Sequence, residues 1–389
     1  MKYLRQIYHI SLRECRILVK NPIYGFCMVL FPIFVTILFT TMLGSGQPSD
    51  MPVGVVDLDN TTTTRQLLRT LDAFQNTDLV RSYPNVNEAR RAIQRNEIYA
   101  FVYVPRGTTS QLLASRRPKI SFYYSLTSVT SGTLLYKDLK TISTLGSAAL
   151  IRAKMRAQGY RDNEILTFIQ PIRLDAHQVH NPETDYNVYL STMLVPGVLM
   201  MFIFLITAYS LGSELKFNTS KRLMQMADGN IWVAMTGKLL PQTLIFLTIF
   251  YAFEFYAFGL LQFPHYGTTF SILLMGALGV LASQGFGVFA FGLAPSLRMS
   301  MSICSLWAVL SFSMVGSAFP VSAMDPMLQS LSWLFPLRYY FMYYQISVFN
   351  GYPFVDAAIY VLGLIAFAVL PIALWPKIKN VMLHYEYIP

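Results

Sequence analysis

The chain has 389 residues, 54% of them hydrophobic and only 13% charged, with a formal net charge of +10 and a mean hydropathy of +0.43. Those proportions exclude an ordinary soluble enzyme and a disordered chain; they describe an integral membrane protein with one sizeable polar insert. No aromatic-interleaved basic motif accompanies the positive charge, so no nucleic-acid partner is expected.

Along Tyr3–Lys20, Leu4, Ile7, Tyr8, Leu12, Cys15, Leu18 and Val19 recur at helical spacing, with Arg5, His9, Arg13, Glu14 and Arg16 between them. Residues 1–22 read as an amphipathic cytoplasmic helix at the inner interface, with its charges among lipid headgroups; a simple basic flank to the first span is the other reading. Ile23–Leu43 carries no Asp, Glu, Lys or Arg and is long enough to span the hydrocarbon core, which takes about 20 apolar residues. Its apolar run is too long for a typical cleavable signal, and Thr40–Gly46 is a poor cleavage site.

Residues 44–187 form a polar insert. Pro52–Asp57 reads as a buried strand, and Asp59–Asn60 with the Thr run supplies an N-cap before a helix at Arg65–Phe74. Leu79–Tyr83, Ile98–Val104 and Lys119–Tyr124 read as strands. Val86–Arg95, Thr108–Ser115 and a long Ser131–Gln158 read as helices, before a returning strand near Ile172–Val179. The expectation is a small α/β domain on two membrane stalks. Cys15, Cys27 and Cys304 all lie outside it, so it must fold without disulfides. His177 and His180, with Asp175, Glu183 and Asp185 nearby, lack the usual ligand spacing, and no metal site is expected. Arg90–Arg91 and Arg116–Arg117 read as solvated surface. Asn60-Thr61-Thr62 and Asn218-Thr219-Ser220 match a glycosylation sequon, a pattern of low specificity.

Five further spans follow at 188–212, 239–262, 268–293, 300–319 and 357–375. Lys2, Arg5, Arg13, Arg16 and Lys20 precede the first span, Lys216, Lys221, Arg222 and Lys238 lie between the second and third, and Lys377 and Lys379 follow the sixth. Basic residues kept in the cytoplasm at span ends put both termini, the loop 213–238 and the tail 376–389 inside, and residues 44–187 outside. The fold class expected is an α-helical polytopic membrane protein with six transmembrane helices and an extracytoplasmic α/β domain between the first two. Span four is small-faced through Gly276, Gly279, Gly285, Gly287 and Gly292, suited to close helix packing. Residues 320–356 hold Trp333, Phe335, Tyr339, Tyr340, Phe341, Tyr343 and Tyr344 broken by prolines. They read as extracytoplasmic or re-entrant pieces with rings at headgroup depth, an aromatic-lined exit being the alternative.

Glu254 stands in the outer half of span three, where it could snorkel to the interface or meet Arg338 of the outer segment; because an intramembrane carboxylate is by default a functional candidate, Glu254 and Arg338 are the candidate pathway residues. No catalytic motif appears, and Thr236-Gly237-Lys238 lacks the preceding glycine of a phosphate loop, so any ATP with its Mg²⁺ must be bound by another polypeptide.

The stretch Ser213–Gln242 resembles the intracellular coupling loop of ABC-2 type permeases, the membrane subunits of ATP-driven exporters. There an acidic residue follows span two, a Gly-Thr and an aliphatic pair come next, and Gly-Lys-x-x-Pro opens span three. Glu214, Thr219, Leu223, Met224 and Gly237–Pro241 occupy those places; Asn218 replaces the usual Gly, and Lys216 and Lys221 stand where acids are common. The PVGVVDLD strand opening, Ala100–Pro105 and the aromatic segment before the last span extend the likeness, which looks most like the bacterial multidrug-type branch. The resemblance implies a cell-membrane (bacterial inner-membrane) permease exporting a hydrophobic or amphipathic substrate, with a cytosolic ABC ATPase docked at Glu214, Thr219, Lys221, Arg222, Leu223, Met224, Gly237 and Lys238. Further partners implied are a second permease, membrane lipids and a periplasmic adaptor. The competing class is a membrane-anchored receptor with an extracytoplasmic binding domain, against which five spans after the insert exceed what anchoring needs.

Overall fold

A computed structural model describes residues 2–114, 116, 118–170, 177, 181 and 184–384. In chain order the elements are α1 (Lys2–Lys20), α2 (Pro22–Met42), β1 (Met51–Asp57), α3 (Thr62–Asp72), β2 (Thr77–Ser82), α4 (Val86–Gln94), β3 (Ala100–Val104), α5 (Thr108–Leu113) and β4 (Ser121–Tyr124). They continue with α6 (Val129–Ala157), α7 (Asp162–Ile169), α8 (Tyr186–Lys216), α9 (Ser220–Met226), α10 (Ile231–Leu260), α11 (Thr269–Leu293), α12 (Leu297–Met314), α13 (Pro326–Ser332), α14 (Pro336–Tyr343) and α15 (Ala358–His384). Among the described residues α2, α8, α10, α11, α12 and α15 are long and apolar enough to cross a membrane. The chain divides into two compact units, Met1–Gly46 with Gln178–Pro389, and Gln47–His177.

In the helical unit the two ends flanking the insert meet: the Tyr186 amide donates to the Gly46 carbonyl at 2.6 Å, and Asn187 Nδ2 donates to the Thr40 carbonyl at 3.1 Å. The insert therefore leaves and re-enters this unit through adjacent points. Helix α11 is the hub, packed against α8, α10, α12, α14 and α15. Its glycines make that possible on several faces at once. A Cβ on Gly287 would lie 2.9 Å from the Phe204 carbonyl of α8, and one on Gly285 would strike the Phe367 carbonyl of α15.

Residues 320–356 fold back on the helices as the short pieces α13 and α14, each opened by a proline at its first turn, and α14 runs on into a π turn at Tyr344–Phe349. Here the arrangement departs from the aromatic belt expected from composition: Phe335, Tyr340, Phe341, Tyr343 and Tyr344 are buried. The glycines of α11 leave room that large rings fill, with Tyr340 edge-on to Phe250 at 5.6 Å and closely approaching Gly279. Residues 375–384 continue as helix after a tight 3₁₀ stretch at Leu370–Leu374, where Pro371 interrupts the regular ladder.

The second unit is a four-stranded sheet in the order β2-β1-β3-β4, with β1 parallel to β2 and β3, and β4 antiparallel to β3. β1 and β3 are central and covered on both faces, which is why they read as nearly continuous apolar runs. Ala89 and Ala92 of α4 pack with Val56 and Phe101 on one face, and Leu71 of α3 with Leu139 and Ile142 of α6 on the other. The acid-rich turn after β1 organises the loops at that end. Asp57 accepts from the Asn60 amide and from Thr64 Oγ1; Asp59 accepts from the Gly107 amide at 2.7 Å and from the Thr109 amide and hydroxyl at 3.0 and 2.6 Å. Thr61 caps α3 in a reciprocal arrangement with Thr64. Helix α7 was not expected, and the strand expected near Ile172–Val179, with His180 and Glu183, lies outside the described residues apart from His177.

Candidate coupling site

The amphipathic pattern of α1 hides one charged residue. Ile10, Ser11, Glu14 and Leu18 form its buried stripe, and Glu14 has no exposed surface at all. A carboxylate is tolerated there because both of its oxygens meet donors, one of them a cation. Lys238 Nζ of α10 reaches Glu14 Oε1 and Oε2 at 3.0 and 2.9 Å, Gln242 Nε2 donates at 3.0 Å, and Ser210 Oγ of α8 at 3.1 Å.

Lys238, only 1% exposed, spends its third proton on Glu214 Oε1 at 2.9 Å. Glu214 is gripped from the other side by Arg13, whose Nη1 and Nη2 meet the two carboxylate oxygens at 2.9 Å each, and by the Thr219 hydroxyl. Two acids and two bases thus balance, in a cluster shared by α1, α8 and α10. The spacing that builds it is helical: Ser210 and Glu214 are one turn apart on α8, Lys238 and Gln242 one turn apart on α10. Backbone contact tightens the same seam, since Ser11 Oγ donates to the Gly237 carbonyl at 2.9 Å. A Cβ on Gly237 would come within 2.8 Å of Ile10.

Asn218, in the left-handed region with φ 53°, ends α8 and turns the chain into α9. Leu223 and Met224 of α9 are fully buried in a cluster with Ile10, Leu215, Ile231, Ile378 and Met382, while Lys221 and Arg222 face outward. Asp228 accepts from Lys2 at 2.8 Å and Gln6 at 2.7 Å, and the hydrogen bond from Lys2 holds its carboxyl below the usual range. Beside it, Lys2, Tyr3, Asp228, Trp232 and Lys379 line a shallow depression of about 450 Å³.

Of the residues singled out from the sequence, Arg13, Glu14, Glu214, Thr219 and Lys238 converge, and Gly237, Leu223 and Met224 pack around them. Lys221, Arg222 and Arg16 are exposed and take no part in the cluster. Arg13 and Glu14 are not headgroup-facing charges: α1 turns them inward, because α8 and α10 bring them opposite partners. Ser210 and Gln242 escaped sequence reading, although their one-turn spacing from Glu214 and Lys238 was visible. Glu254 and Arg338 are not paired. Glu254 lies against Gly276, and Arg338 donates to the Val315 carbonyl at 3.1 Å with its guanidinium over the Trp333 ring.

Residues 23–375 match the family described as ABC-2 family transporter protein. A curated protein of Escherichia coli (strain K12), described as the probable multidrug ABC transporter permease YbhR, is 22% identical over 164 residues, as is its counterpart in Escherichia coli O157:H7. The alignment takes in 41% of this chain and 44% of each relative, so the chain spans less than half the length of the curated relatives it matches.

Proposed function

Because the chain belongs to the ABC-2 family of transporter proteins, we propose that it is the permease subunit of an ATP-driven exporter, moving a hydrophobic or amphipathic substrate out of the cytoplasm or inner membrane. A separate cytosolic ATPase holds ATP and Mg²⁺. The observation that carries this reading is the cluster at Glu14, Lys238 and Glu214, beside α9. A short helix presenting Lys221 and Arg222 outward is tied through buried Leu223 and Met224, and through Thr219, to α1, α8 and α10. A push on α9 or α1 is thereby delivered to two spans rather than lost in a loose connector, as biasing two packed arrangements requires.

Charge placement supports cytoplasmic termini and an extracytoplasmic insert. The description of YbhR as a multidrug permease supports a drug-like substrate, and a second permease completes the pathway. Purification of the tagged chain from its native membranes tests the reading. A stoichiometric ATPase, lost when Lys221 and Arg222 are replaced by Glu, is the expected result; repeated isolation without an ATPase overturns it in favour of a receptor.

A further inference from the structure

Glu254 has a different character from the carboxylates of the coupling cluster. It ends the regular α-helical part of α10, where the helix passes into a π turn at Phe255–Leu260. It lies sixteen residues beyond Lys238, about 24 Å along the axis at 1.5 Å per residue. The residue is 3% exposed, and neither carboxylate oxygen has a hydrogen-bond partner.

The facing elements explain why. Helices α2 and α11 contain no Asp, Glu, Lys, Arg or His, and the charged residues of α8 are Glu214 and Lys216 at its far end. Helices α1 and α9 meet α10 around Lys238. Arg338 of α14 is committed to Val315 and Trp333. Tyr251 and Tyr340 lie close enough to Glu254 to interact with it electrostatically. The rest of the surroundings is apolar and aromatic, with Phe250 and Phe253 on the same helix buried in the core.

That donor set is selective. Once ionised, the carboxylate repels anions, and a hard cation such as Ca²⁺ would need six to eight oxygens, where the carboxylate supplies two. One carboxylate among ring faces suits a cation whose charge is spread over an organic body, held by the acid and by the rings. We propose that Glu254 is the recognition point for the positive charge of a lipophilic organic cation in the transport path, which rests on the exporter reading above and names its substrate class.

The seam that must part is that between α10 and α11. The carboxylate lies so close to Gly276 that a Cβ there would be 2.7 Å from Oε1, and Tyr251 pins the seam by donating to the Leu273 carbonyl at 3.1 Å. With the seam closed, a proton neutralises the carboxyl. When it opens, the carboxyl O–H bond breaks, the proton passes to water as hydronium, and the carboxylate pairs with the entering cation.

The test uses the full-length chain in lipid nanodiscs with tetraphenylphosphonium as the probe, following binding by equilibrium dialysis and proton release in weakly buffered solution. Expected are one proton released per cation bound, about tenfold or greater weakening in Glu254→Gln, equivalent to about 1.4 kcal/mol, and near-native binding in Glu254→Asp. Equal binding by wild type and Glu254→Gln overturns the proposal. So does a loss shared by Glu254→Asp, which marks a packing role, or a second copy supplying the cation, seen as a dimer that dissociates in Glu254→Gln without any probe binding. Should Glu254→Gln not fold, absence of proton release from wild type decides against it. Binding needs no ATPase, so failure here leaves the coupling site standing, and failure to recover an ATPase leaves this measurement readable.

Discussion

Arg13 grips Glu214 with both terminal nitrogens, Nη1 to Oε1 and Nη2 to Oε2 at 2.9 Å each, joining the amino-terminal helix to the end of the second span. The forked geometry is specific to a guanidinium. Arg13→Ala is expected to cost about 1–3 kcal/mol, because Glu214 keeps Lys238 and Thr219 and the Arg13 side chain retains 17% exposure. Arg13→Lys restores only part of it, because a single ammonium nitrogen stands where two guanidinium nitrogens meet the two oxygens. Thermal melting in detergent checks both.

Lys238 is the keystone of the same cluster. Lys238→Met leaves Glu14 and Glu214 sharing a buried space without their common cation, and the expected destabilisation is about 3–5 kcal/mol. Combining it with Glu14→Gln removes the orphaned charge and should recover a substantial part of the loss. A double-mutant cycle on melting midpoints measures that coupling; strict additivity of the two substitutions would contradict the geometry.

In the insert, Asp59 ties the turn after β1 to the start of α5. Hydrogen bonds from Thr109, with a further one from the Gly107 amide, hold its carboxyl below the ordinary value of 3.8. A depressed folded-state pKa contributes stability that is fully present above the unfolded value, about 4, and is lost as pH falls through the folded value. Wild type should therefore resist proteolysis around Pro105–Leu113 better than Asp59→Asn at neutral pH. The two should converge under acid, read with an acid-active protease.

The membrane spans and most of the insert's elements were legible because each rests on local signals, long apolar runs or alternation between turns. α3 begins at Thr62 rather than Arg65 because Thr61 and Thr64 cap each other, a detail hidden within a run of four threonines. The buried cluster of Glu14, Lys238 and Glu214 was legible only in pieces. Glu214 and Lys238 drew attention through their motif, but Glu14 looked like one charge among several on a basic helix. Which way α1 faces is fixed by Gly237 admitting Ile10 and by carboxylate partners more than 190 residues away in the chain, neither of which periodicity carries. The aromatic segment misled for a similar reason, since composition cannot distinguish rings at headgroups from rings filling the space beside the glycines of α11.

Helix α9 allows partner docking to be separated from folding. Lys221 and Arg222 are exposed, while Leu223 and Met224 next to them are 0% and 1% exposed. Reversing the two charges, Lys221→Glu with Arg222→Glu, touches no buried contact and should leave the melting temperature nearly unchanged, since surface substitutions usually fall within about 0.5 kcal/mol. Leu223→Ala empties a site between α1, α9 and α15 and should cost about 2–5 kcal/mol. If the ATPase docks here through an acidic surface, the charge reversal alone abolishes its co-purification, with an affinity loss that is steeper at low salt than at high. Leu223→Ala should weaken association only as far as it unfolds the site, so restoring stability by lowering the temperature restores association. The opposite pattern, with the charge reversal silent and Leu223→Ala defective even where it is folded, would place the contact on the apolar face of α9 and require that helix to swing away from α1 during the cycle.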